Sequence, residues 1–425
     1  MVIDEQGTAP DLTVGVAAAD EIGATLDADE LGFGVRMRPQ ARQAILEASI
    51  PDRSVVSRDG SDIVGVSVSV PLQMTLPGPA VAPIAAIVGV AVWPTHRRQG
   101  RLRSMMRYQL EDLRRRGEHI AVLTSSEARI YQRFGYGPAT LASGYTVDTR
   151  HLHVLPGGLG RSATGRVRFV DRSAAAGRFP ALFEAYQATR AGEVGRLPLG
   201  WEEVLGYQTE EDQRDRFFVQ YEEGGSATGY AIYRIVTDTT GPPRRTLRVV
   251  DLCSLTPASY TGLWSYLVDI DLVETLETSV RPVDEPIRWA LSDYRRMRTL
   301  WTTEHTFVRL VDVQTALAAR RYNHPGELSL EVRDSFCDWI PGGYRLYAED
   351  SPDGAGVAAC ERLAPGSTGS DLELDVSALA SVYLGGLRPS MLADVGLIAE
   401  LRPGALDLAD RMFCGQVPPM CSTVF

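Results

Sequence analysis

Val90-Ala91-Val92-Trp93-Pro94-Thr95-His96-Arg97-Arg98-Gln99-Gly100-Arg101-Leu102-Arg103 runs from an apolar strand through a basic loop into a helix. On the strand side the apolar run reaches back to Ile84 and stops at Pro94. On the helix side Leu102, Met105, Met106, Leu110 and Leu113 recur as one apolar stripe. Arg114-Arg115-Arg116-Gly117 then sets cations over the carbonyl end and supplies a glycine stop. Strand, loop and helix in this order make an anion site. Unpaired N–H groups at a helix start face outward, and the helix dipole adds positive potential. Gly100 lets the backbone approach a bulky phosphate, and Arg97, Arg98, Arg101 and Arg103 add cations. The bland alternative for the arginines alone is a solvated basic turn. The strand before them and the helix after them favour the anion site.

Outward from this segment the chain keeps an αβ texture. Upstream, residues 54–57 and 63–70 read as strands, the second with period-two alternation. Arg58-Asp59-Gly60-Ser61-Asp62 between them is turn chemistry, so a hairpin is expected. The pattern over 20–46 is mixed, with a helix expected around 40–49, and residues 1–12 read as a loose polar tail. Downstream come a short buried strand at 120–123 and a short helix at 128–134 that Gly135 ends. Leu155-Pro156-Gly157-Gly158-Leu159-Gly160 reads as a linker. Residues 165–298 repeat the style of the first part, with helices near 179–190, 201–207 and 260–275 and strands at 217–221, 229–236 and 247–255. No glycine-arginine loop precedes this second unit's helix. From about Trp301 a third part opens with an amphipathic helix at 311–320 and carries another near 376–383. The expected organisation is α+β with domains at 1–155, 156–298 and 299–425.

Composition narrows the function. The 425 residues are 44% hydrophobic and 23% charged, which excludes a disordered or fibrous chain. No apolar stretch approaches the roughly 18 residues of a membrane span, and the N-terminus lacks the cationic start and apolar core of a secretory signal. Net charge is −11, and all 43 basic residues are Arg. That balance argues against nucleic acid as the main partner and tilts toward cationic ligands. The 5 cysteines are scattered without a CxxC, so reduced thiols and a cytoplasmic protein are expected. His151 and His153 have no carboxylate or thiol partner at ligand spacing, so no metal is expected. His96 reads as a loop hydrogen-bonder.

Arg97-Arg98-Gln99-Gly100-Arg101-Leu102 resembles the pyrophosphate loop R/Q-x-x-G-x-G/A of the GNAT superfamily of N-acetyltransferases, with Leu102 where Gly or Ala is usual. Pro94-Thr95-His96-Arg97-Arg98-Gln99-Gly100, Ser126-Glu127 and Ile130-Tyr131-Gln132-Arg133-Phe134-Gly135-Tyr136-Gly137-Pro138-Ala139-Thr140 together are very similar to the Eis (enhanced intracellular survival) acetyltransferases, as is the aromatic chain end, Phe425. The resemblance covers the whole chain. It implies two tandem GNAT-like domains, the first catalytic and the second degenerate, and a C-terminal sterol-carrier-protein-like domain. It also implies an acetyl-CoA-dependent transfer of acetyl to primary amines, of aminoglycoside or lysine type, by a homohexamer. Acetyl-CoA is then expected at Val90, Ala91, Val92, Arg97, Arg98, Gln99, Gly100, Arg101, Leu102, Arg103, Ser126 and Glu127.

Acetyl transfer to an amine needs a neutral nucleophile, a polarised carbonyl and a proton for the leaving thiolate. A strand such as Val90-Ala91-Val92 can offer backbone N–H groups like an added strand. Two phenols stand near enough in sequence to return the proton, Tyr131 and Tyr136, and the resemblance assigns the role to Tyr131. For the base the neighbouring sequence offers only Glu127, beside the cofactor loop. The resemblance assigns it instead to the C-terminal carboxylate, here on Phe425. The apolar ending Val424-Phe425 after Pro418-Pro419 argues against a frayed terminus. The Eis pattern has a carboxylate just before the terminal Phe, where this chain has Val424; Asp27, Asp29 and Glu30 supply acidic character near Phe33 instead. The rivals are a non-catalytic sensor of CoA or of an apolar ligand, and an acyltransferase using a longer acyl-CoA.

Overall fold

The computed structural model describes residues 13–78, 80–125, 127–155, 165–207, 215–240, 243–349, 358–367 and 369–425. The expected tail at 1–12, the expected linker from Pro156 to Gly160 and Ser126 lie outside them. The first sheet holds, in spatial order, Thr13–Val16 (β1), Ser54–Asp59 (β2), Asp62–Leu76 (β3), Ala80–Val92 (β4), Ile120–Thr124 (β5), the strand Thr306–Leu310 and Gly137–Pro138 (β6). Ile22–Phe33 (α1), Pro39–Ala48 (α2), Arg101–Arg115 (α3) and Ala128–Gln132 (α4) accompany it. The hairpin expected from the turn at 58–62 is β2 and β3, paired antiparallel.

Helix α1 escapes a periodicity reading for a physical reason. The side it buries includes Thr25, Ala28, Glu30 and Gly32, which are small or polar, so no apolar stripe advertises it. By contrast α3 buries Met105, Met106, Leu110 and Leu113, the stripe legible in the sequence.

The second sheet runs Met297–Glu304, Leu141–Asp148 (β7), Thr275–Arg281, Arg244–Ser254, Ser226–Asp238, Arg216–Glu223 and Arg166–Val170. The helix expected at 260–275 is Pro257–Val268, and Thr275 opens a strand. Leu272 sits between them at φ 64°, a left-handed conformation that no helix continues through, and Leu276 is fully buried in the sheet.

The two sheets exchange chain. After β6 in the first sheet the chain crosses at Ala139 and Thr140 to β7 in the second. It returns from Met297–Glu304 in the second sheet to Thr306–Leu310 in the first. The crossings are bonded to each other: the backbone N–H of Thr306 donates to the Thr140 hydroxyl at 3.0 Å, and that of His305 to the Thr140 carbonyl at 3.0 Å. A third sheet of five strands spans Gly326–Arg333 to Ile398–Glu400. Its core merges with that of the first sheet, where Ile84, Val122, Phe134 and Phe307 join Phe336, Leu379, Phe413 and Cys421 in one buried cluster. Arg309 on the returning strand is wholly buried and ion-paired to Asp334. The three parts are therefore one packed body, and residues near 305 and at the chain end are brought to the first sheet.

Candidate active site

The site begins at a defect in β4. Val66 pairs with Ala91 and Val68 with Val88, so Gly89 and Val90 together stand opposite Ser67. This is a β-bulge, and Gly89 takes the positive φ of 57° that it needs. On its other side β4 pairs with β5 in parallel only at Ala85–Ala121 and Ala86–Val122. Beyond those pairs β4 has no β5 partner, and a cleft of about 1030 Å³ opens beside Ile87 to Val92.

The glycine-arginine loop closes one end. Gly100 is the residue before α3, at φ 80°, and no side chain caps the helix start. The first-turn N–H groups of α3 therefore keep their donor capacity. The arginines divide their work. Arg97 donates to the Gly32 carbonyl at 2.6 Å, tying the loop to the end of α1. Arg101 is buried, and its guanidinium turns to β2, donating to the Arg58 carbonyl at 2.9 Å and the Ser57 hydroxyl at 3.2 Å. Arg103 lies over the Phe336 ring at 5.1 Å. Arg98, at φ 63°, is exposed on the cleft wall with no ion pair or hydrogen bond among the described residues. Arg98 and Arg103 are thus the cations with capacity for a diphosphate. Gln99 is turned back to the Thr95 carbonyl and Arg101 and does not line the cleft. His96 bonds Thr95 and, at 3.0 Å, Asp59.

Tyr131 on α4 lines the cleft. Burial pushes its pKa up to about 12, so the hydroxyl keeps its proton at neutral pH. Tyr136 meets it edge to face at 5.8 Å between ring centres, but is wholly buried, and its hydroxyl has no hydrogen-bond partner among the described residues. Glu127 is exposed at the cleft rim. Phe425, 301 residues further along, reaches the same cleft, where the Thr124 hydroxyl at the end of β5 donates to its terminal carboxylate oxygen at 3.2 Å.

The acidic residues near Phe33 also separate. Asp27 pairs with Arg42 at 2.8 Å, and Glu30 with Arg36 at 2.8 Å and Arg42 at 3.4 Å. Asp29 pairs with neither arginine: among the described residues its buried Oδ1 has no partner, and it stands 3.3 Å from where a Cβ on Gly89 would be. Burial first, then the Glu30 charge, pushes its pKa up to about 6.

Comparison with known proteins fits this anatomy. An acetyltransferase (GNAT) domain family matches residues 14–139, a second such family 192–310, and a sterol carrier protein domain family 313–422. An uncharacterised N-acetyltransferase of Streptomyces coelicolor is 40% identical over 91% of this chain and 92% of its own. The N-acetyltransferase Eis of Mycobacterium tuberculosis is 34% identical over 86% of this chain and 88% of its own. The chain belongs to the Eis-like N-acetyltransferases. The crystal structure of Eis1 from Mycobacterium abscessus, at 29% identity, superposes with a TM-score of 0.83 over 97% of this chain and 100% of that one.

Within this Eis-like chain the second acetyltransferase unit is built differently at the corresponding helix start. Pro257–Val268 follows Thr256, whose side chain accepts from the Ser259 backbone while the Ser259 hydroxyl accepts from the Thr256 N–H. This reciprocal cap occupies the Ser259 N–H, and Pro257 has none to offer, whereas no side chain caps the helix start at Gly100.

Several cleft or support residues escaped sequence reasoning. His305 lines the cleft because the returning strand begins beside it, and burial lowers its pKa, keeping the imidazole neutral. Thr124 holds the terminal carboxylate. Glu193 grips the tail that carries it. No local pattern marks any of the three; each acquires its place only when distant segments meet.

Proposed function

We propose that the chain transfers acetyl from acetyl-CoA to a primary amine in the cleft between β4 and β5, with residues 1–155 supplying most of the catalytic unit and Thr306–Leu310 and the chain end completing it. The observation that carries this reading is the convergence on one cleft of the uncapped Gly100 helix start, the protonated Tyr131 and the terminal carboxylate of Phe425. The bulge at Gly89, the open N–H groups of α3, and Arg98 and Arg103 fit a pantetheine arm ending in a diphosphate. Acetyl-CoA supplies the thioester whose acyl carbon is attacked. The Phe425 carboxylate takes a proton from the acceptor ammonium, which frees the nitrogen lone pair. As the new C–N bond forms and the C–S bond breaks, Tyr131 gives its proton to the departing sulfur, and the extra proton left on the acylated nitrogen passes through solvent to restore the Tyr131 phenol, giving neutral amide and free CoA thiol. The free thiols of all five cysteines support a cytoplasmic setting, and the family likeness supports a homohexamer acting on aminoglycoside- or lysine-type acceptors.

Thiol release from acetyl-CoA across a panel of polyamines, aminoglycosides and lysine peptides tests the reading. Amine-dependent release is expected. Binding of acetyl-CoA with no release on any amine would replace the enzyme by the sensor reading. Faster release from longer acyl-CoAs would favour the other rival.

Asp29 adds a pH signature. Its raised pKa means the folded chain holds this proton more tightly than the unfolded one, so its contribution to stability is full below the ordinary carboxylate value of 3.8, is lost as pH rises from there to about 6, and is absent above that. For a cationic acceptor the sign is opposite, because only the ionised carboxylate attracts the ammonium. The KM for the amine should fall several-fold as pH rises from 5 to 7, and Asp29→Asn should flatten that change. An unaltered KM profile in Asp29→Asn removes the residue from acceptor binding.

A further inference from the structure

We propose that Glu193 is the positioning residue that sets the Phe425 carboxylate in the cleft; the proposal rests on the reading of that carboxylate as the proton acceptor. Glu193 is fully buried, though it stands in a connecting segment. Its carboxylate accepts the Ser422 backbone N–H at 2.9 and 3.1 Å, the Thr423 N–H at 3.3 Å and the Thr423 hydroxyl at 3.4 Å. That hydroxyl has a single proton, directed chiefly to the Val194 carbonyl at 2.9 Å, so its longer contact with the carboxylate is the weak arm of a shared bond; the Met420 N–H donates to the Ala191 carbonyl at 2.9 Å. The tail is therefore gripped by backbone and side chain together, ending two residues before the carboxylate.

The grip is itself anchored to the catalytic sheet. The segment 191–195 lies along the far end of β3, with Thr75 N–H to the Glu193 carbonyl at 3.0 Å, Gly192 N–H to the Thr75 carbonyl at 2.7 Å and Gly195 N–H to the Gln73 carbonyl at 2.9 Å. Strand β3 pairs with β4, which forms the cleft wall. At its other end the tail is held by Thr124 of β5. Both anchors of the terminal carboxylate thus trace back to the sheet that forms the cleft.

A buried carboxylate is an expensive way to hold a chain end, because burying its charge opposes folding unless charge-assisted hydrogen bonds and a nearby cation offset it. Met420 and Cys421 already bury the tail by apolar packing. What the carboxylate adds is direction: fixed acceptors for two successive N–H groups orient the chain about 7 Å upstream of the group that must meet the acceptor, at about 3.3–3.6 Å per residue.

The test uses the full-length chain with Phe425 as free acid or as α-carboxamide, each with and without Glu193→Ala. Glu193→Ala is expected to lower kcat about 10²-fold, the cost of roughly 1 Å of misplacement, with KM for acetyl-CoA unchanged. Amidation should then remove little more, because both changes act on one group. Wild-type kcat in Glu193→Ala, or losses that multiply independently, overturns the proposal. Amidated wild-type chain with full kcat instead overturns the reading of the carboxylate, whatever Glu193 does. If Glu193→Ala does not fold, Glu193→Gln decides: it keeps the size of the side chain but replaces one acceptor oxygen with an NH2 that cannot accept the Ser422 or Thr423 N–H, and should lower kcat about tenfold at constant KM for acetyl-CoA; unchanged kcat overturns the proposal.

Discussion

Adding a few residues after Phe425 should lower turnover by 10²-fold or more while acetyl-CoA binding persists. The extension acts twice. It converts the α-carboxylate that Thr124 holds into a neutral amide, and it moves the new carboxylate by up to about 3.3–3.6 Å for each added residue. A carboxylate with an ordinary pKa near about 3.5 is a weak base, so its usefulness lies in where it stands. An N-terminal tag of the same length should cost little, because the polar, unpatterned sequence of residues 1–12 reads as a loose tail. Turnover of both tagged forms, compared at matched melting temperature, separates lost chemistry from lost structure. Equal activity would take the terminal carboxylate out of the mechanism and leave Glu127 and His305, which line the same cleft, as the groups to examine.

Tyr131→Phe should lower kcat by about 10²–10⁴-fold, the usual range for a lost proton donor, without weakening acetyl-CoA. The ring stays and only the hydroxyl goes, so the edge-to-face contact with Tyr136 survives. Tyr136→Phe should leave kcat within a few-fold. Its hydroxyl is buried and unpartnered, so removing it should leave stability unchanged or raise it by about 1 kcal/mol. Steady-state kinetics with thermal melting on both variants reads the contrast, and the opposite ranking would exchange the roles of the two tyrosines.

The parts of this account that a sequence shows are those written within a few neighbouring residues. The bulk of the first sheet was legible because β3 alternates, α3 carries an apolar stripe, and Gly100 interrupts a basic run between strand and helix. The local sequence offered both Tyr131 and Tyr136 and only the family resemblance singled out Tyr131, the one of the two that lines the cleft. The strand exchange was not legible. Nothing in Leu141–Asp148 says that it leaves the sheet of β6, and nothing in Thr306–Leu310 says that it enters the sheet of β5, because strand registry depends on partners far away in the chain. The arginine loop shows the same limit at a finer scale. All four guanidiniums look equivalent in sequence, yet Arg101 is spent on β2 and Arg97 on α1. Glu193 and Thr124 read as ordinary polar residues until the last six residues fold back to meet them. Asp29 gains its raised pKa because the fold buries it beside Glu30, while Arg36 and Arg42 pair with Glu30 and Asp27.

The most direct measurement compares full-length chains made by ligation with Phe425 as the free acid or as the α-carboxamide, which removes the charge and moves no atom of the side chain. The account predicts that the amide binds acetyl-CoA with the same Kd, melts at the same temperature and turns over at least about 10²-fold more slowly at neutral pH. Equal turnover by acid and amide would contradict it.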